Sequence, residues 1–590
     1  MILFPVPRDI QFSEGFYTFP VPSADTDLLA FFRQLKDGFP GVRLILSPLL
    51  GKEAYRLTVA EGGAEIAFSC DEGLFRAATS LFQMIRRTDG QVPFVKIMDQ
   101  PDLPRRGYML DISRGRKPKV ATLMFIIDYL ALLKYNEFQL YMEGDCFKYS
   151  AYPEENADYD CLTPEDLKQL DRYCRERFID LVPNQNSFGH MYTWLKKPAF
   201  RPLGLYGSDQ DTPSTLNPLL PESFEFVKNL YASLLPCFSS GYVNIGLDEA
   251  YGLGKYQIEE VCRQKGKDVV FMEWLNQLSS HIESAYGKKV MFWADMINHY
   301  PQSYHMIPSG AVALEWGYEL IQSQQMTAHC IDYRNAGIRY YLCPSANTHG
   351  ALAGRMDVTT FNIRTCGELA KEYGAEGLLL TDWGDGGHPQ PWLWSMNPIA
   401  LAGQYGWNSG APQDGESFKA DFIRGAESFV DEMCFGGVGL SRLLYRMANY
   451  YLLEPERVHV CTISAKELTL PISVTRYAHL FDLKDFGADF YFDNVIGYVR
   501  RVMEDIEALP LQDPWKREIR LTARLIELGS EVCKVKLHPT RSREEARRLA
   551  AMIDQIIPEY ESLWNLRNYE RGVEKFRDEL LHRKEELLAL

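Results

Sequence analysis

The sequence has no C-x-x-C pair and no dense cluster among its twelve cysteines, so neither a disulfide framework nor a thiolate metal site is written into it. Long apolar runs are missing too. Stretches such as Tyr129–Leu133 and Gly377–Leu380 are far too short to cross a bilayer. MILFPVPRDI lacks the basic region and long apolar core of a signal peptide, which with reduced thiols predicts a cytoplasmic protein. Positive charge is in deficit: 63 Lys and Arg against 79 Asp and Glu give a net charge of −16. Such a surface repels phosphate backbones, so no nucleic-acid partner and no membrane partner is expected. There is no internal repeat and no H-x-H or H-E-x-x-H spacing. What remains is a 590-residue chain with 46% hydrophobic residues, enough for a large core and more than one domain.

Residues 1–102 read as a small α+β unit. Tyr55–Ala60 and Glu65–Ser69 alternate around Glu61-Gly62-Gly63 as a hairpin. Asp71 opens a helix with Leu74, Ala78, Leu81, Phe82 and Ile85 on one face. Residues 103–415 alternate short apolar runs with amphipathic helices. The expected strands are Tyr108–Ile112, Glu137–Met142, Asp180–Pro183, Tyr242–Leu247, Val290–Ala294, Ala311–Glu315, Arg339–Cys343 and Gly377–Thr381. Eight β–α alternations predict a (β/α)8 TIM barrel rather than an open sheet. Residues 416–590 read as a mainly helical C-terminal region whose last fifty residues interleave opposite charges on a solvated face. These helices leave open a homodimer or a cap on the barrel.

A barrel gathers its function at the C-terminal ends of its strands, and those ends are rich here. They carry Asp111 to Arg114, Glu143, His190, Asp248-Glu249, Trp293 with Asp295, Glu315-Trp316, Asn347 with His349, and Trp383 with Asp385. Carboxylates beside indoles suit a carbohydrate, whose hydroxyls need acceptors and whose ring faces pack on aromatic rings. A glycosidase needs a protonated acid at the leaving oxygen, and neighbouring carboxylates raise one another's pKa, to about 6 in such sites. Asp248-Glu249 supplies the pair.

Arg105-Arg106-Gly107-Tyr108-Met109-Leu110-Asp111-Ile112-Ser113-Arg114 and Asn244-Ile245-Gly246-Leu247-Asp248-Glu249 resemble the first strand and the Asp-Glu signature of glycoside hydrolase family 20, the β-N-acetylhexosaminidases. Phe188-Gly189-His190 with Trp194 resembles the family's third strand end, and the N-terminal hairpin and helix its small leading domain. The resemblance implies an exo-acting hydrolase of a terminal amino sugar, with a substrate-assisted retaining mechanism and no cofactor or metal. Carried over by motif, Glu249 is the general acid and base, and Asp248 orients the 2-acetamido group. Arg106 holds ring hydroxyls, Trp293, Trp316 and Trp383 wall the acetamido pocket, and Asp385 binds the non-reducing sugar. Glu143 and His190 are further substrate contacts.

The match has gaps. Leu247 stands where many members have glycine, Gly115 where histidine is common, and the family's tyrosine after the seventh strand is missing. Asn347, His349 and Tyr341 are the candidates to replace it. Three other readings stay open at this point. One is a retaining glycosidase of other sugar specificity with Asp385 or Glu315 as direct nucleophile. Another is a metallohydrolase built on Asp382, Asp385, His388 and His349. The last is a catalytically silent sugar-binding barrel.

Overall fold

The computed structural model describes residues 3–158, 160–208, 210–410, 416–474, 476, 487–537 and 543–590. Strands β1 (Asp9–Thr18), β2 (Val42–Leu46), β3 (Tyr55–Ala60), β4 (Gly63–Phe68) and β5 (Gln91–Asp99) form one sheet in the order β1-β5-β3-β4-β2. The expected hairpin is β3 and β4, with Tyr55 opposite Phe68. The helix Asp71–Arg87 lies against it and buries nearly all of its length. Acids in its first turn and Arg86 and Arg87 in its last complement the helix dipole.

Eight parallel strands then close a barrel: β6 (Arg105–Asp111), β7 (Glu137–Met142), β8 (Asp180–Gln185), β9 (Tyr242–Asn244), β10 (Lys289–Trp293), β11 (Val312–Trp316), β12 (Arg339–Cys343) and β13 (Gly377–Asp382). Hydrogen bonding from β13 back to β6, with Gly377 opposite Arg105, shuts the ring. Inward side chains such as Met109, Val182, Met291, Leu314 and Leu379 fill the lumen, so the mouth has a packed floor. Each crossover carries helix, and Thr163 starts Pro164–Arg175 with a full capping box.

Helices dominate beyond the barrel, ending in Trp515–Leu537, Arg543–Arg567 and Val573–Ala589. They pack onto the barrel. Residues Pro118 and Asn568 pair as a β-bridge, Tyr569 N donates to Lys117 O at 2.8 Å, and Lys575 Nζ donates to Ser113 O at 3.3 Å. Trp564 and Phe576 are buried in this contact. The last helix therefore has a solvated charged face and a second face that closes over the end of β6. Among the described residues no helix is long and apolar enough to cross a membrane, and all twelve cysteines are free thiols.

Candidate active site

The mouth of the barrel holds a cavity of about 370 Å³ lined by Arg114, His190, Asp248, Glu249, Trp293, Trp316, Tyr318, His349, Trp383 and Asp385, among others. The Asp-Glu pair reaches it because the chain leaves β9 early, at Asn244 rather than at the expected Leu247. Gly246, Leu247 and Glu249 then take φ of 73°, 79° and 47°. This left-handed turn lets two consecutive acids face one cavity, which regular strand alternation forbids. A β-carbon at Gly246 would lie 1.9 Å from Asn186 Oδ1, so only glycine fits there. Leu247 and Glu249 hold positive φ without that freedom, a strain of about 1–3 kcal/mol each of the kind found at functional sites.

His190 sits beneath the pair. Its Nε2 lies 3.2 Å from Asp248 Oδ2 and 3.4 Å from Glu249 Oε2. Burial alone would lower its pKa, but Asp248 and Glu249 push it up to about 10. A charged imidazole has a consequence for the acid. Hydrogen bonding from His190 outweighs burial and holds Glu249 below the usual carboxylate range. The expectation of a raised Glu249 is thus corrected: a cation lies between the two acids. Burial raises Glu143 instead, and burial and the nearby Asp248 charge push Asp295 up to about 7. Its Oδ2 accepts from Glu249 N at 3.0 Å, fixing the turn that carries the acid.

Arg106 is not in the mouth. It lies near the N-terminal end of β6, at the foot of the barrel, and its side chain points outward. There it donates to Glu53 Oε2 at 3.1 Å and to Leu103 O at 2.8 Å, beneath the small domain. Burial would raise Glu53, yet Arg106 and Arg76 hold it down at about 2. The arginine at the mouth is Arg114. It lies 3.2 Å from Asp111, 3.1 Å from Glu143 and 3.9 Å from Asp385, and its guanidinium packs on Trp383 and Tyr141. The signal for Arg114 was present in the sequence: it follows the strand end, whereas Arg106 precedes it. Glu143 stands behind Arg114, accepting from Tyr141 OH at 3.0 Å.

Trp293 and Trp383 stand 5.8 Å apart, and Trp316 stacks on Tyr318 at 5.2 Å. Tyr318 is the residue that sequence reasoning missed. It comes after β11, not β12, and its hydroxyl accepts from Trp383 Nε1 at 2.8 Å. Tyr341 lies on the floor beside Glu137 and Arg105, and Asn347 Oδ1 is taken by Arg355 at 3.1 Å. His349 reaches the cavity wall. Gly115 has its place explained as well, since a β-carbon there would lie 2.4 Å from Gly387 O.

The rival residues fare differently. Glu315 faces outward from the barrel and is held by His329, Asn298 and Tyr333 at 2.6, 2.6 and 2.8 Å. The carboxylate of Asp382 accepts from Tyr108 and Thr348, each at 2.7 Å. Among the described residues no three His, Cys, Asp or Glu side chains group as metal ligands.

Paired acids, a half-buried imidazole and an aromatic box at the mouth of a (β/α)8 barrel define a carbohydrate-hydrolase type of site. The models for the glycosyl hydrolase family 20 catalytic domain and its domain 2 match residues 104–346 and 20–100, together more than half of the sequence, and the chain belongs to that family. A beta-hexosaminidase of Akkermansia muciniphila is 29% identical over 232 residues, 34% of this chain and 46% of its own. The beta-hexosaminidase alpha subunit of Bos taurus is 26% identical over 280 residues, 43% of this chain and 51% of its own. The chain thus spans about half the length of these curated relatives. Among solved structures, the Flavobacterium johnsoniae chitobiase aligns with a TM-score of 0.60 at 17% identity, covering 96% of this chain and 99% of that one. A Vibrio harveyi family 20 exo-β-N-acetylglucosaminidase with bound N-acetylglucosamine gives 0.58 at 18%, covering 73% and 77%. These two share its fold.

Proposed function

We propose that the chain is an exo-acting β-N-acetylhexosaminidase that cleaves terminal β-linked 2-acetamido sugars with retention, using the substrate's own amide as nucleophile. One observation carries the reading. Asp248 Oδ1 and Trp293 Nε1 are both buried and without a hydrogen-bond partner among the described residues, and both residues line the aromatic cavity. An amide brings one donor and one acceptor, and unmet buried polar groups cost about 1–3 kcal/mol each. A 2-acetamido group meets both at once.

In the first step the acetamido oxygen attacks the anomeric carbon, and the C–O bond to the leaving group breaks with its electron pair on that oxygen. Glu249 relays to that oxygen a proton drawn from the charged His190 Nε2, which leaves the imidazole neutral and the carboxylate ionised for the second step. Asp248 accepts the amide N–H and balances the charge of the oxazolinium. Tyr318 and Trp293 donate to the acetamido oxygen, the task for which the family's seventh-strand tyrosine is absent. Arg114 and Asp385 hold the hydroxyls of the terminal sugar. In the second step Glu249 takes a proton from water, whose oxygen attacks the anomeric carbon and releases the amide.

The test is hydrolysis of matched aryl β-glycosides carrying 2-acetamido, 2-hydroxyl or 2-amino groups. Cleavage confined to the 2-acetamido compounds and blocked by a thiazoline mimic is the expected result. Comparable cleavage of a 2-hydroxyl glycoside would overturn the substrate-assisted route.

A further inference from the structure

The C-terminal helices meet the barrel over a second, smaller cavity of about 40 Å³. Its polar lining is Arg116 after β6, His388 and Gln390 after β13, and Tyr560 and Asn568 in and just beyond the helix Arg543–Arg567. All five side chains are more than nine-tenths buried. They leave polar atoms without a partner among the described residues: Arg116 Nη1, both ring nitrogens of His388, Tyr560 OH, Gln390 Oε1 and Asn568 Oδ1. Pro389 and Gln390 line the catalytic cavity as well.

Arg116 is the group there whose charge cannot be given up. Its Nη2 donates to a neutral acceptor, Gln390 O. The two carboxylates that act on it lie beyond ion-pair distance and are engaged elsewhere. Asp382 takes the hydroxyls of Tyr108 and Thr348, and Glu518 takes Arg567 at 2.6 and 3.1 Å. Their attraction does not offset burial, which holds the Arg116 pKa below its ordinary value. Burial, followed by the Arg116 charge, keeps His388 neutral, far below the usual imidazole range, so its ring offers one N–H and no competing charge. A buried cation in this state favours a ligand that brings a counter-charge.

Size sets the class of that ligand. A water molecule needs about 10–15 Å³ of such space, so 40 Å³ admits about three particles of that size and no sugar or nucleotide. We infer that the cavity binds a halide ion, chloride in the first place, through the Arg116 guanidinium, the Tyr560 hydroxyl and the His388 N–H. The amide oxygens of Gln390 and Asn568 suit the one or two waters that complete its shell. Two of the three donors come from barrel loops and one from a C-terminal helix, so the ion pins the helical region to the barrel. That region also lines the catalytic cavity, through Cys461, Ala465 and Phe576, and Thr462 N ties it to the loop after β12 by donating to Gly350 O at 2.9 Å. The halide is thus a structural ligand of the assembled cavity and takes no part in the chemistry. The inference stands apart from the function proposed above.

Crystals of the full chain grown in sodium bromide should give an anomalous difference peak at the bromine edge, beside Arg116 Nη1 and Tyr560 OH. In solution at constant ionic strength, replacing gluconate by chloride should raise the melting temperature by about 2 °C and saturate as a single site fills. Tyr560→Phe removes one donor and little volume. It should fold as the wild type does and need about tenfold more chloride for the same shift, the worth of one hydrogen bond to an ion. Arg116→Met should show no chloride response. Water alone in the cavity, with bromide found only at surface positions, would overturn the inference. A chloride response of the same size and midpoint in the wild type and both variants would overturn it too. If Arg116→Met does not fold, the bromide peak and Tyr560→Phe still decide the matter.

Discussion

Glu249 and His190 are best read together. With the imidazole charged and the carboxyl held down, the proton that a leaving oxygen needs is stored one residue away from where it is used. Glu249→Gln should lower kcat by about 10²–10⁴-fold on substrates with poor leaving groups, the usual worth of general acid catalysis, and far less on activated aryl glycosides. Tyr318→Phe removes a donor, not volume. It should reduce kcat/KM for 2-acetamido substrates by about tenfold, the value of one hydrogen bond to a polarised oxygen, and lower the melting temperature as well, since Trp383 Nε1 loses its acceptor. Asp295 carries a prediction about pH. Its folded pKa, about 7, lies above the ordinary 3.8, so its neutral form favours the fold fully in acid and that benefit is lost as pH rises through 7. Asp295→Asn should therefore melt higher than the wild type at pH 8, by a margin that shrinks as pH falls from 7 toward the ordinary 3.8 and is lost below it. The acids, the histidine and the tryptophans were legible in the sequence because they stand at strand ends. Tyr318 was not, since a family expectation directed attention to the seventh strand and nothing in a linear sequence shows that the sixth loop folds into the same box.

At the level of elements, strand direction decided what could be read. The eight barrel strands appear as short apolar runs because they are covered on both faces, and most of their boundaries fall within one or two residues of expectation. β1 was invisible because nearly all of it is exposed and no alternation of burial marks it. β5 carries Pro93 near its start, which breaks the strand signal in the sequence. Arg106 shows the limit of motif transfer. Adjacent strand residues face opposite ways, so Arg105 enters the lumen to meet Glu137 and Asp180, while Arg106 turns out to Glu53. Breaking such a buried pair costs about 3–5 kcal/mol. Arg106→Met should thus lower the melting temperature by many degrees while leaving KM unchanged, and a raised KM would return Arg106 to the site. Glu53, held at about 2, adds stability that is complete above about 4.5 and is lost as pH falls toward 2. Acid unfolding of the wild type should be steep over that range and shallower in Arg106→Met.

For the whole molecule, periodicity showed the division into small domain, barrel and helical region but not that the third part builds the catalytic cavity. The charged pattern of the last helices looks like an outer surface and conceals the face carrying Val573, Phe576 and Leu580. A chain ending near residue 410 should accordingly be poorly soluble and inactive, which expression and aryl-glycoside assay would check. The contact between Ser113 and Lys575 spans 462 residues, and the loop after β6 is made long before its cover exists. A ribosome adding about 5–20 residues per second needs roughly half a minute to a minute and a half to bridge that gap. During that interval the barrel strands can be in place and the acids present, yet the cavity lacks its roof and one wall. On the hydrolase reading proposed above, a chain halted before residue 575 holds its acids without a finished cavity, and stays inactive.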